Sequence, residues 1–132
     1  MEHKFIIKGR FYGEKTFPSL NDYLHECGKN PKAGGRLKKD CMMIASNAIR
    51  LQLKRLKVHN PIIIHYTFYE PSKGQIRDYM NVFSMADKII QDSLQQCKVI
   101  PNDGPDWVKN TTHDFFYTDG EPRIEVVIEE LS

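Results

Sequence analysis

The chain has 132 residues, 40% of them apolar, and a formal net charge of +2. A chain of this length buries roughly two-thirds of the surface that it exposes when unfolded, so one domain spanning 1–132 needs no structural metal or disulfide. The apolar run Phe5-Ile6-Ile7 is too short for a signal peptide or a bilayer span, and three widely spaced cysteines favour reduced thiols. These features predict a soluble cytoplasmic protein without a membrane partner.

The first four predicted elements alternate between strands and helices. His3–Gly9 and Pro61–Glu70 are short apolar runs, the second rich in Ile, Tyr, Phe and Thr, and we expect both as central strands. Apolar residues recur at three- and four-residue spacing over Leu37–Leu56 and again over Tyr79–Gln96, which predicts two long helices.

The C-terminal region is typical of two further strands. Val108–Tyr117 and Arg123–Glu130 flank the turn residues Thr118–Pro122, a pattern that predicts a β-hairpin. The order strand, helix, strand, helix, strand, strand predicts an α/β or α+β fold in which two long helices pack on a four-stranded mixed sheet.

The segment Phe11–Arg36 between the first strand and the first helix is polar, basic and glycine-bearing. Its glycines lack the Gly-Lys-Ser/Thr ending of a phosphate-binding P-loop. A segment of this length is either a mobile surface connection or an ordered arm that contacts a ligand, and the sequence leaves both interpretations open.

Charge is distributed unevenly along the chain. Residues 1–59 hold 13 Lys and Arg against 5 Asp and Glu, whereas residues 60–132 hold 6 against 12. A basic half favours a polyanionic partner, because neutralising phosphates releases condensed counterions. The acidic half is compatible with such a partner if some of its carboxylates hold a divalent cation.

The residues best suited to catalysis lie around the second predicted helix. Asp78 precedes the helix, and Asn81, Lys88 and Asp92 share one of its faces at about 100° per residue. Asp103 follows on a loop from which it could fold back towards Asp78. Two converging carboxylates are costly unless a cation lies between them, and Mg²⁺ prefers such oxygen ligands.

Each of these residues also has a purely structural interpretation. Asp78 can cap the helix, Asp103 before a glycine is a common turn residue, and Lys88 with Asp92 can form a surface ion pair. Spacing alone favours the structural interpretation of each residue taken singly.

Three motifs follow one another in the second half of the chain: Arg77-Asp78-x-x-Asn81, Lys88-x-x-x-Asp92-x-Leu94 and Val99-Ile100-Pro101-Asn102-Asp103-Gly104-x-x-x-Val108. This ordered series resembles the RusA-like crossover junction endodeoxyribonucleases, the Holliday junction resolvases, especially bacteriophage members. The front end, Ser19–Leu24 followed by Asn30 and Leu37-Lys38-Lys39, adds secondary support. The resemblance covers most of the chain.

The resemblance implies a metal-dependent endonuclease that acts as a two-fold homodimer on four-way junctions in DNA recombination and repair. Asp78 and Asp103 would bind Mg²⁺, or Mn²⁺ in its place, with Asn81 as a further ligand. Lys88 would stabilise the developing phosphate charge or orient the scissile bond, and Asp92 would support Lys88.

The sequence departs from the family at one important position. Met80 replaces the second acid of the family's Arg-Asp-x-Asp-Asn pattern, and methionine does not bind Mg²⁺ usefully. The consequence is a weaker site, a replacement ligand such as Asp87 or Asp106, or loss of activity. The alternative function is therefore a non-enzymatic protein that binds branched DNA.

Basic residues supply the predicted DNA-contacting surface. They are Lys29, Lys32, Arg36, Lys38, Lys39, Arg50, Lys54, Arg55 and Lys57.

Two weaker hypotheses remain. Strand aromatics would support an RNA-binding sheet, and a histidine with two cysteines would bind zinc at a spacing that matches no common pattern. The residues concerned are Tyr66, Phe68, Phe115 and Tyr117 for RNA, and His25, Cys27 and Cys41 for zinc.

Overall fold

A computed structural model describes all 132 residues of the chain. Its elements are β1 (Glu2–Lys8), α1 (Leu20–Lys29), α2 (Ala33–Leu53), β2 (Ile62–Pro71), α3 (Tyr79–Gln96), β3 (Val108–Thr118) and β4 (Arg123–Glu130). A four-stranded mixed sheet with helices packed on it confirms the predicted fold class, although three helices are present instead of two. None of the helices combines the length and apolar character that crossing a bilayer would require.

The strand order β1-β4-β2-β3 corrects two predictions. β1 is an edge strand and not a central one. β3 and β4 do not form a hairpin, because β3 pairs in parallel with β2 while β4 lies between β1 and β2, antiparallel to both. The turn residues between β3 and β4 are typical of a hairpin, and for that reason the sequence predicted one. The chain instead leaves β3 at one edge of the sheet and crosses β2 to reach the interior position of β4.

Burial explains why β4 is central and β3 is not. Ile124, Val126 and Ile128 of β4 alternate with half-buried residues and are themselves fully covered, whereas β3 has no buried residue. Parallel pairing of β2 with β3 requires a crossover connection, which α3 supplies. Phe83 of α3 packs on Tyr66 of β2 and on His113 of β3, which holds α3 against both strands.

The helix α1 was not predicted, and it lies within the polar segment 11–36. The side chain of Ser19 accepts a hydrogen bond from the Asp22 amide at 3.2 Å, while the Asp22 carboxylate accepts one from the Ser19 amide at 2.8 Å. This capping box is visible in the sequence as Ser-x-x-Asp and could have identified the helix. Phe17 is buried in the core just before it, so the segment is folded.

The helix α2 begins four residues before its predicted start and ends three residues before its predicted end. It ends where Lys54 adopts a left-handed backbone conformation, with φ of 48°. Between this helix, α3 and the inner face of the sheet lies one core cluster of 22 buried residues.

Candidate functional site

Asp78 is the N-cap of α3. Its Oδ1 accepts hydrogen bonds from the backbone amides of Met80 at 2.8 Å and Asn81 at 3.3 Å. Such bonds satisfy amide groups that a helix start otherwise leaves unpaired. Asp78 thus caps the helix, as its structural interpretation predicted, and one of its carboxylate oxygens already accepts hydrogen bonds.

Arg77 holds the start of α3 against the rest of the protein. Its Nε and Nη2 donate to the two carboxylate oxygens of Glu70 at 2.9 and 3.0 Å, and its Nη1 donates to the Phe17 carbonyl at 2.7 Å. Nη1 also lies 3.4 Å from the Asp22 carboxylate. Because only 6% of the Arg77 side chain is exposed, this network fixes α3, β2 and α1 together.

Asp103 lies beside the middle and the C-terminal half of α3, whereas Asp78 caps the N-terminus of this helix. α3 runs antiparallel to β3: Tyr79 packs on Phe115 with ring centroids 5.2 Å apart, and Phe83 packs on His113 at 4.5 Å. The loop that precedes β3 therefore reaches the C-terminal half of α3. The fold does not bring Asp103 back to Asp78.

Asp103 instead shares a shallow cavity of about 350 Å³ with Asp87. We call this cavity the acidic hollow. Its lining consists of Asp87, Gln91, Asp103, Pro105, Val108, Asn110 and Thr111. Asp78, Asn81 and Asp106 do not line it. Asp78 lies nine residues before Asp87, about 13 Å along the helix axis.

Tyr66 and Gln91 position the Asp87 carboxylate. The Tyr66 hydroxyl donates to Oδ1 of Asp87 at 2.6 Å, and the Gln91 side-chain amide donates to the same oxygen at 2.8 Å. Burial, with a smaller contribution from the Asp87 charge, raises the pKa of Tyr66 well above its ordinary value. The phenol therefore stays a donor at neutral pH, and Oδ2 of Asp87 is left for another partner.

The oxygen atoms around the acidic hollow are of the kind that Mg²⁺ prefers. The lining contains two carboxylates and, in addition, the side-chain oxygens of Gln91, Asn110 and Thr111. Protein sites for Mg²⁺ commonly use one or two carboxylates, together with waters and substrate phosphates. No group of three or more His, Cys, Asp or Glu side chains is arranged to hold a metal ion. These oxygen donors are chemically suited to Mg²⁺, and Asp87 and Asp103 would be its carboxylate ligands.

Asp92 connects two lysines on different helices. Its Oδ1 lies 3.3 Å from Nζ of Lys88, and its Oδ2 lies 3.2 Å from Nζ of Lys38 on α2. The Lys88 side chain is mostly exposed, whereas only 18% of Asp92 is. Asp92 therefore forms with Lys88 the i,i+4 ion pair that their spacing allowed, and at the same time links α2 to α3.

A cavity of about 780 Å³ lies between α2 and α3, and we call it the basic groove. Its lining consists of Gly35, Lys38, Lys39, Met42, Met43, Ser46, Arg50, Asp92, Gln95 and Gln96. Three of the predicted DNA-contacting residues therefore come together there, and six do not line it. Of these six, Lys29 pairs with Glu26 at 2.8 Å, and Lys54 and Arg55 lie at the end of α2.

The remaining sequence hypotheses involve residues that the fold disperses or buries. Tyr66 and Phe68 belong to the core, and Phe115 stacks on Phe68 with centroids 4.5 Å apart, whereas Tyr117 is exposed. For the zinc hypothesis, Cys27 is exposed and Cys41 is buried in the core.

Sequence reasoning missed several residues of the two cavities. Gln91, Asn110 and Thr111 in the acidic hollow, and Ser46 and Gly35 in the basic groove, are neutral and have no motif spacing. Helical periodicity could have indicated Gln91, which lies one turn after Asp87.

A comparison of the chain with protein-family models and with curated protein sequences finds no match.

Proposed function

We propose that this protein is a Mg²⁺-dependent, structure-specific endonuclease that cuts four-way junctions and related branched DNA as a two-fold homodimer. The observation that supports it most directly is that α3 lines two cavities, the acidic hollow with Asp87 and Asp103 in its wall and the neighbouring basic groove. An acidic site can bind a metal cation, and a basic site next to it can bind the DNA backbone. Such an arrangement would bring the cation and the polyanion together. A two-fold dimer offers two equivalent sites to the pseudo-symmetric arms of a junction.

The roles of the side chains follow from their positions. Asp87 and Asp103 would hold the ion, with Tyr66 keeping Asp87 in place. When bound, Mg²⁺ supplies positive charge that polarises the scissile phosphate and favours attack by water. The exposed Lys88 ammonium stabilises charge that develops on the phosphate, and Asp92 limits the positions that this ammonium samples. The products expected are a 5′-phosphate and a 3′-hydroxyl.

The test is cleavage of a synthetic four-way junction in Mg²⁺. Asp103→Asn and Asp87→Asn should each lower the cleavage rate by more than about 100-fold, because outer-shell changes at metal sites already cost about 10- to 100-fold. Asp106→Asn is the matched control, since Asp106 lies in the same loop outside the acidic hollow. Equal cleavage by the Asp103→Asn and control proteins, or no cleavage by the parent in Mg²⁺ or Mn²⁺, would refute the proposal.

Asp78 distinguishes the hollow from the ligand set that the family resemblance implies. Asp78→Ser keeps a good N-cap and removes the carboxylate. If the ion is held by Asp87 and Asp103, this variant retains most of the junction cleavage. A loss as large as that of Asp103→Asn would show that Asp78 is a ligand and that the proposed pair is incorrect.

A second function is favoured by one specific observation. Met80 occupies the position of the family's second acid, and 46% of it is exposed beside a capping Asp78. These features support a protein that binds branched DNA without cutting it. Tight junction binding with no nicking, followed by nicking on Met80→Asp substitution, would establish this alternative.

A further inference from the structure

We infer that the basic groove is a binding site for a continuous stretch of DNA phosphodiester backbone, separate from the acidic hollow. The inference rests on the proposed action on DNA and assigns a place to one strand of it. Four properties of the groove support this assignment: its length, its charge, its neutral donors and its position relative to Lys88.

The length of the groove excludes a single phosphate as its natural ligand. Lys38, Lys39 and Arg50 line it from one helix. Lys39 and Arg50 are eleven residues apart, which corresponds to about 17 Å along the axis of α2. Successive phosphates of one duplex strand rise about 3.4 Å along the DNA axis, so this distance corresponds to roughly five steps. Cations so far apart can act together only on a polyanion.

The charge of the groove is available to such a ligand. Asp92 is the one acidic residue in the lining, and its two oxygens are engaged by Lys38 and Lys88. Lys39 and Arg50 are exposed, and neither forms an ion pair within the chain. Two cations on one helix face therefore remain free to neutralise phosphates.

Neutral groups in the lining add hydrogen-bond donors and room. The Ser46 hydroxyl is buried and has no hydrogen-bond partner. An unpaired buried hydroxyl is costly, and a phosphate oxygen is an acceptor that would remove this cost after a side-chain rotation. Gly35 has no atom within 4 Å of the position where a Cβ would stand, so a strand can approach the helix closely there.

Lys88 lies between the basic groove and the acidic hollow. Asp87 lines the hollow and Asp92 lines the groove, and Lys88 is the residue between them on the exposed side of α3. A helix with its side chains is about 10 Å across. A DNA strand that is bound in the basic groove therefore needs only a few nucleotides to cross α3 and reach the acidic hollow. On this path the strand passes the Lys88 ammonium.

The sharpest test places one charge in the groove. Gly35→Glu and Gly35→Gln introduce side chains of equal size that differ only in charge, at a position with free space. Gly35→Glu should weaken binding of a 30-base-pair duplex and of a four-way junction by about fivefold relative to Gly35→Gln, from repulsion at contact distance. Thermal unfolding of both proteins controls for stability.

A second measurement does not depend on this substitution. In Lys39→Gln/Arg50→Gln, the slope of log binding constant against log salt concentration should fall by about 0.9 per cation removed. Inorganic phosphate at matched ionic strength should compete no better than chloride. Competition by millimolar phosphate would show a site for a single anion and overturn the inference, as would preferential loss of duplex RNA binding in Gly35→Glu.

The outcomes separate this inference from the proposed nuclease activity. Equal DNA affinity for Gly35→Glu and Gly35→Gln, together with an unchanged salt slope in the double variant, overturns the groove assignment. Junction cleavage that still depends on Asp103 would leave the nuclease proposal intact in that case. Absence of DNA binding by the parent protein overturns both.

Discussion

Replacing Arg77 by Ala should lower the free energy of unfolding by about 3–5 kcal/mol, the cost of breaking a buried ion pair by removing one partner. The guanidinium is 6% exposed and Glu70 is 12% exposed. Removal of Arg77 leaves the Glu70 carboxylate covered by protein and without its two donors. The Phe17 carbonyl also loses its partner.

This loss is large against the total stability of a domain, about 5–15 kcal/mol. Urea unfolding followed by circular dichroism measures it as a shift of the midpoint at unchanged slope. The double variant Arg77→Met/Glu70→Leu should recover most of the loss, because it removes the buried charge together with its partner. Arg77→Lys should not recover the lost stability, since an ammonium cannot reproduce the bidentate contact with Glu70.

Arg10→Ala is the matched control on the surface. Arg10 pairs with Glu14 at 3.3 Å, but its side chain is 44% exposed and that of Glu14 is 84% exposed. Such pairs contribute about 0–1 kcal/mol. If Arg77→Ala cost no more than this control, the buried network would not fix α3, and the account of how Asp78 is positioned would be incorrect.

Three further predictions concern the helix cap, an acidic residue and the thiols. Asp78→Ala should cost about 1 kcal/mol in urea unfolding through loss of the N-cap, whereas the serine variant at that position should cost little. The hydrogen bond from Arg123 lowers the pKa of Glu125, so its stabilising contribution is present above the unfolded-state pKa and is lost as pH falls through the folded one. Glu125→Gln should therefore flatten the acid limb of a stability-against-pH curve below about pH 4.5, and an unchanged limb would contradict this reasoning. Burial and the neighbouring Asp40 charge raise the pKa of Cys41 to about 11, so a thiol reagent at pH 7 should label the exposed Cys27 and should reach Cys41 only in urea.

The sequence predicted those features that depend on local periodicity. The four strands and the helices α2 and α3 lie close to where apolar spacing placed them, because burial on one side of an element repeats at a fixed interval. The mixed sheet and the fold class followed from the element order. Helix α1 was missed because its residues give no buried stripe, although its capping box was legible.

The sequence did not determine which strands pair or which acids meet. Alternation in β4 shows that one face is buried, but it does not identify the neighbours, and only the packed sheet placed β4 between β1 and β2. Asp103 and Asp87 line one cavity only because α3 runs antiparallel to β3, which is a property of the crossover. Local pattern decides what each segment is, whereas contacts between residues distant in the chain decide where it lies, because they arise only when the apolar faces pack together.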